Sequence, residues 1–379
     1  MKRVLFLSHS DRFYGAESVL FSIIVANQST RYSDAYVSVP SSKEKDFRDA
    51  LESVGFDRSK LVIAPYKLLN PRFFLNFISL PLDIWIAITL YFYCRKRKIE
   101  VIFSNTCVNI TGAFLAILMR SKLIWHFHEQ PDPSGKFKWI HPFWFPMYRF
   151  IINRPRTTII FISNTQKLLW ENELNISINN SKVIYTPSRQ LEKLEERLVD
   201  TEISFGFMGT FAPSKNVLLL LSAFKKLKYK YPGRKIRLVL MGSGHQEKVI
   251  HNLIANENLL KDVILLPHSR DVAHFFSMID TYVLPSDFES WGLSAIEALS
   301  LNKTLIITVN TGLSEILKDY VHCLYVTPSV PEGLFIKLEE LFLDKQLRSD
   351  LANRGCNLIK DIKLTENFES SINELIGPS

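Results

Sequence analysis

Residues 281–297 read TYVLPSDFESWGLSAIE. The run from Thr281 to Leu284 is apolar and strand-like, Pro285-Ser286-Asp287 ends it, and helical spacing resumes after Trp291-Gly292. A strand that turns into a helix in this way is the repeating unit of parallel α/β sheets. Gly292 lets backbone come close to a ligand, and a helix start offers unpaired N–H groups suited to phosphate. Glu289 lies in the loop before that start, and Glu297 lies inside the helix. A fully helical spacer between them spans roughly 12 Å, about the distance from a hexose to a ribose across a diphosphate. The two carboxylates are therefore spaced to grip opposite ends of one nucleotide sugar rather than to act as acid and base on one bond. The alternative is that Glu289 answers the helix dipole and Glu297 is a surface residue.

Outward from this stretch, short apolar runs alternate with helical patterns along the chain. In the first half, strands are expected at 4–7, 35–39, 61–64, 101–103, 123–127, 159–162 and 183–185, with helices at 16–27, 47–54, 80–96 and 110–118. Pro81 falls in the first turn of the third of these helices, where proline is tolerated. The second half repeats the pattern, with strands at 203–208, 237–241, 263–266, 281–284, 305–308 and 323–326 and helices at 217–229, 245–256 and 272–277. Residues 189–202, RQLEKLEERLVDTE, are charged and lack strand character, which suits a linker. The fold class expected is α/β: two doubly wound, Rossmann-like parallel-sheet domains, 1–188 and 203–360, facing a deep cleft. A last helix, 361–379, is expected to pack back on the first domain. Ligands belong at the carboxyl ends of the strands.

The 379 residues are 47% hydrophobic and 22% charged, which excludes large-scale disorder. The net charge of +8 favours anionic partners such as nucleotides or an acidic membrane surface, although a generally basic surface reads the same way. Cys94, Cys107, Cys323 and Cys356 form no CxxC pair, which argues against a zinc site or a disulfide framework. Val4-Leu5-Phe6-Leu7 stops at Ser8-His9, too early for a signal peptide. Residues 73–94 are long enough to test as a membrane span, but Asn76, Pro81 and Asp83 interrupt them. A half-buried helical region ending at the basic run 95–98 is expected instead. The chain therefore reads as cytoplasmic.

The 281–297 stretch resembles the EX7E motif of retaining glycosyltransferase family 4, a GT-B family also called glycosyl transferases group 1. The likeness extends over almost the whole chain. Phe207-Met208-Gly209-Thr210 with Ser214-Lys215-Asn216 resembles the family's strand–loop–helix carrying a diphosphate-binding lysine. Met241-Gly242-Ser243-Gly244 resembles its next glycine turn, and 266–271, with His268 and Arg270, its base-contacting loop. Thr311-Gly312-Leu313-Ser314-Glu315 resembles its Gly-Gly-x-x-Glu turn. Tyr14-Gly15-Ala16-Glu17 and Trp125-His126-Phe127-His128-Glu129 are similar to its acceptor-side loops.

That resemblance implies a sugar transferred, with retention, from a UDP- or GDP-type donor to a saccharide or lipid-linked saccharide, typically in cell-surface polysaccharide synthesis. Glu289, Lys215 and His128 would be the catalytic residues. Glu289 would hold donor-sugar hydroxyls, Lys215 would neutralise the departing diphosphate in place of a metal, and His128 would bind hydroxyls. Gly15, Gly209, Thr210, Gly242, Gly244, His268, Arg270, Ser286, Gly292, Leu293 and Glu297 would line the donor site, with Glu297 on the ribose. Tyr14, Asn105, His126 and Glu129 would serve the acceptor. The departing phosphate would receive the acceptor proton. No metal and no cofactor beyond the nucleotide-sugar co-substrate is implied, and no nucleic acid. A lysine at a helix start opposes the dipole, so a bound anion would relieve it.

The chain departs from the pattern at Thr210, where the family often carries arginine. That departure keeps open a catalytically silent nucleotide-sugar-binding or membrane scaffold protein; an epimerase or phosphorylase of the same fold is the other alternative. Residues 136–156, KFKWIHPFWFPMYRFIINRPR, interleave basic and aromatic residues. With 73–98 they suit a peripheral contact with the cytoplasmic face of a membrane, or equally a core helix with a basic edge.

Overall fold

The structure, a computed structural model, describes residues 2–30, 33–66, 76–132, 138, 140–189, 191, 202–269 and 271–377. The chain divides into two compact units, Met1–Pro187 with Leu364–Ser379, and Ser188–Lys363. Most of the expected linker, 190 and 192–201, lies outside the described residues.

The first unit runs β1 (Lys2–Leu7), α1 (Gly15–Thr30), β2 (Ser33–Pro40), α2 (Asp46–Ser53), β3 (Leu61–Ala64), α3 (Asn76–Arg97), β4 (Val101–Asn105), α4 (Ile110–Met119), β5 (Lys122–His126), α5 (Phe145–Ile152), β6 (Thr157–Phe161), α6 (Asn164–Leu174) and β7 (Ser181–Val183). Its sheet is parallel in the order β3-β2-β1-β4-β5-β6-β7. The order reverses between β1 and β4, so their carboxyl ends open the crevice in which doubly wound sheets bind ligands. Strands such as β4 and β6 are buried along their whole length. That is why they read as continuous apolar runs instead of alternating ones.

The second unit runs β8 (Ile203–Met208), α7 (Val217–Lys230), β9 (Ile236–Met241), α8 (Glu247–Asn256), β10 (Val263–Leu266), α9 (Val272–Ser277), β11 (Thr281–Leu284), α10 (Leu293–Ser300), β12 (Thr304–Thr308), β13 (Leu324–Val326), α11 (Pro331–Leu343) and α12 (Lys345–Asp361). Its parallel sheet has the order β10-β9-β8-β11-β12-β13. The switch point falls between β8 and β11. The last helix, α13 (Leu364–Ile376), belongs to the first unit. There Lys122 Nζ donates to Leu375 O (2.7 Å) and Lys2 Nζ to Gly377 O (2.7 Å).

One expectation changes here. Pro81 is not in a first turn, because α3 starts at Asn76 and Pro81 lies inside it. Among the described residues no helix is long and apolar enough to cross a membrane. Instead α3 has two faces: Ile86, Ala87, Leu90 and Cys94 are buried, whereas Trp85 (59% exposed), Ile88 and Phe92 (67%) face outward. The aromatic–basic segment is likewise split. Tyr148, Ile151 and Ile152 of α5 are core residues, whereas Phe143 and Phe150 are exposed.

Candidate functional site

Polar side chains gather at the β8/β11 switch of the second unit. The loop after β8 passes through a 3-10 turn, Pro213–Lys215, and Asn216 in the left-handed region (φ 54°) before α7. Lys215 thus precedes α7 and is not its first residue, and its charge is met by an ion pair. Lys215 Nζ lies 2.5 Å from Glu289 Oε2, with both side chains about a quarter exposed. Ser286 Oγ is 3.5 Å from the same oxygen.

The two loops are laced together. Asp287 N donates to Ser214 O (2.8 Å), while Asn216 Nδ2 donates to Pro285 O (3.0 Å) and Asp287 Oδ1 (2.6 Å). Glu289 is clamped from the other side, its N–H donating to Asn310 O and its carbonyl accepting from Gly312 N, each at 3.0 Å. Asp287 and Asn216 are positioning residues that the motif reading missed; their only signal is their place beside Ser286 and Lys215.

Gly292 holds φ 98° at the start of α10, where among the described residues no side chain caps the helix. A Cβ there would come within 3.3 Å of Leu313 Cδ1 and 3.4 Å of Leu284 Cδ2. Glycine is required by conformation and packing, and the uncapped N–H groups of Leu293 and its neighbours follow from it. Tyr282 OH donates to Met208 O (2.9 Å) and accepts from Ser294 Oγ (2.8 Å), tying the helix start to the end of β8.

Glu297 differs from its expected form. It is 3% exposed, and Arg189 Nε lies 2.5 Å from its Oε1. Burial raises the Glu297 pKa, against the opposing pull of the guanidinium. A ribose at this carboxylate would therefore compete with Arg189, which sequence reasoning placed in a linker. The glycines at 242 and 244 also have an internal reason. A Cβ on Gly242 would stand 1.9 Å from Gly209 O, and one on Gly244 2.8 Å from Phe211 O. Thr210 and His268 sit on exposed loops after β8 and β10, and Arg270 lies outside the described residues.

The β1/β4 switch of the first unit carries the other candidates, and several are corrected. Asn105 and His126 are fully buried, so neither reaches an acceptor in this arrangement. Asn105 spends its amide inside: Nδ2 donates to Ala16 O (3.2 Å), and Oδ1 lies 2.9 Å from His128 Nε2, assigning that nitrogen its proton. Glu129 is a strap, its Oε2 accepting from Cys107 N (2.9 Å) and His128 N (3.3 Å). Its carbonyl accepts from Gln166 Nε2 and Trp170 Nε1. Tyr14 is half exposed, its hydroxyl accepting from Arg12, and Gly15 is exposed at the start of α1. The His128 ring centroid lies 4.0 Å from that of His126, the two rings tilted by 44°. Burial first, then the charges of His126 and His9, lower the His128 pKa well below its ordinary value.

Among the described residues neither ring nitrogen of His126 has a hydrogen-bond partner, and burial drops its pKa to about 3. A lowered folded-state value means that the unfolded chain takes up the proton first. Stability is therefore complete above pH 6.5 and falls as pH drops toward 3. His9, whose pKa is raised, adds no slope in that window. Between pH 6.5 and 4, His126 accounts for a loss on the order of 3 kcal/mol. His126→Phe is expected to remove that part of the acid destabilisation, read by urea unfolding at both pH values.

Among the described residues no group of three or more His, Cys, Asp or Glu side chains is placed to share a metal ion. The two doubly wound sheets, each with polar residues at its switch point, define a two-domain α/β protein of GT-B type. The same fold spans the structure of Anabaena HepE in complex with UDP and glucose, with a TM-score of 0.77, 17% identity and 99% of each chain covered. Residues 188–357 match the glycosyl transferases group 1 family. The chain is 29% identical over 187 residues to a glycosyltransferase of Methanocaldococcus jannaschii, covering 49% of this chain and 50% of that one. It is 26% identical over 200 residues to the capsular polysaccharide biosynthesis glycosyltransferase CapM of Staphylococcus aureus, covering 50% and 52%. The chain thus spans about half the length of these curated relatives.

Proposed function

We propose that the protein transfers a sugar, with retention, from a UDP- or GDP-linked donor to a saccharide or lipid-linked saccharide. The observation that carries this reading is the Lys215–Glu289 pair beside the uncapped start of α10 at a sheet switch point. A diphosphate over that helix start would offer Lys215 a second anion. Sugar hydroxyls would then donate to the carboxylate of Glu289. Lysine neutralises the departing diphosphate, so the chemistry asks for no divalent metal and no cofactor besides the nucleotide sugar. Cell-surface polysaccharide is the proposed product, by analogy with the name of CapM. The outward apolar face of α3, next to Arg95 and Lys96, would rest the protein on the cytoplasmic face of an anionic membrane.

The test is release of nucleoside diphosphate from a panel of UDP- and GDP-sugars, with and without EDTA. Turnover insensitive to EDTA and at least about 100-fold lower in Glu289→Ala is expected. Thr210 and the Arg189–Glu297 pair favour a second reading, a nucleotide-sugar-binding protein without turnover. Binding with no release for any sugar would establish that one instead.

A further inference from the structure

A nearly sealed carboxylate in the second unit is met by a side chain that belongs to no strand or helix. Glu297 lies on α10, four residues past Leu293 at its uncapped start, roughly 6 Å along the helix axis. Its side chain is 4% exposed, and its Oε1 lies 2.5 Å from Arg189 Nε. Arg189 follows residues 184–188, which form neither helix nor strand, yet it is part of the second unit. The Arg189 side chain is 41% exposed, so the guanidinium lies on the solvent side of the carboxylate.

Such a pair is easily opened. An ion pair with one partner largely in water is weak. Burial raises the Glu297 pKa even with the guanidinium beside it, so the contact does not repay the desolvation of the carboxylate. Hydroxyl groups that donate to a carboxylate make charge-assisted hydrogen bonds. A vicinal diol reaches both oxygens of one carboxylate at once, and in a nucleoside that diol is the ribose. To reach Oε1 it must take the place that Arg189 fills.

We propose that Arg189 is an internal competitor at the nucleoside end of the donor site: it covers Glu297 when the site is empty and is displaced by the ribose hydroxyls when a nucleotide binds. This rests on the transfer reading above, with Glu297 on the ribose, and names what regulates that contact. The exchange is one of hydrogen bonds alone. Arg189 Nε gives up Oε1, and the 2′- and 3′-hydroxyls donate to the two carboxylate oxygens. A nucleotide without those hydroxyls leaves the pair closed. The empty site thereby keeps its buried carboxylate neutralised, and opening the pair offsets part of the ribose contact. Arg189 therefore blunts the discrimination between nucleotides with and without ribose hydroxyls.

The full-length protein tests this with UDP, GDP and their 2′,3′-dideoxy analogues, by titration calorimetry. For whichever base the wild type binds, the ratio of dideoxy Kd to ribonucleotide Kd is expected to rise at least about threefold in Arg189→Gln. The hydroxyls then have no competitor. Loss of one cation acts on both diphosphates alike and cancels in the ratio. In wild-type protein labelled with 15N-arginine, the Nε–H signal that is absent from Arg189→Gln identifies Arg189. Saturating ribonucleotide is expected to shift that signal, and the dideoxy analogue to leave it in place. A ratio that rises less than threefold overturns the proposal and spares the transfer reading. So does an Nε–H signal that ribonucleotide leaves unmoved, or that both nucleotides shift alike. Failure of wild type and Arg189→Gln to bind either UDP or GDP overturns the transfer reading, and this inference with it.

Discussion

Lys215→Ala is expected to lower kcat/KM for the nucleotide sugar by about 10²–10³, or about 3–4 kcal/mol of transition-state stabilisation. The charge that develops on the leaving diphosphate must be met by a cation. Lys215 is the cation that the structure places beside Glu289 at the switch point. Its loss should spare the fold, because a partly exposed ion pair contributes about 0–1 kcal/mol. Lys215→Arg keeps the charge but replaces a compact ammonium by a planar fork, so partial activity is expected. Initial rates of diphosphate release, with a thermal melt as control, separate the two effects. A Lys215→Ala rate within threefold of wild type, at unchanged Tm, would remove Lys215 from the mechanism.

Gly242→Ala should produce the largest loss of stability in the C-terminal unit. The added carbon would stand 1.9 Å from Gly209 O and 3.0 Å from Gly209 C, which are backbone atoms that cannot rotate away. Gly209 N donates to Met241 O (3.0 Å) and Gly242 N to Leu266 O (3.2 Å), so a shift to relieve the clash disturbs both neighbouring strands. We expect a loss of about 3 kcal/mol or more, a fall in Tm of about 10 °C, and loss of nucleotide binding as the 209–215 loop moves. Gly233→Ala is the control: φ is 79° there, but nothing lies within 4 Å of the added carbon. Its cost is the left-handed backbone alone, about 1–2 kcal/mol. Equal stability of the two variants in urea unfolding would show that the close approach of the loops is not what requires glycine.

Particular elements show why some of this was legible in the sequence. β4, β6 and β12 are buried throughout, so their composition announces them whatever they pack against. α6 was not expected. α6 buries only Gln166, Trp170 and Leu174, a narrow stripe in a polar sequence, and its buried glutamine is satisfied by carbonyls of Phe127 and Glu129 that no local pattern reveals. At the site, the strand–turn–helix around Glu289 could be read locally, but Asp287 and Asn216 could not, because their role is to join two loops. His126 and His128 look alike in the sequence. One is sealed in the core and the other borders the crevice, and only the neighbours packed on the end of β5 distinguish them.

The amino-acid sequence by itself determined the alternation of strands and helices, two parallel sheets and the glycine-led helix start, because hydrophobic spacing and turn chemistry act over a few residues. The tertiary structure alone decided which charges meet. Lys215 and Glu289 are 74 residues apart, and Arg189 and Glu297 are 108 apart. His9 and Glu17 are close in the chain, yet they meet only because the loop between β1 and α1 folds back between Tyr66 and Arg48. Electrostatic pairing depends on distance through space, and that distance is set only when the sheet order places the ends of β1 beside β4 and of β8 beside β11.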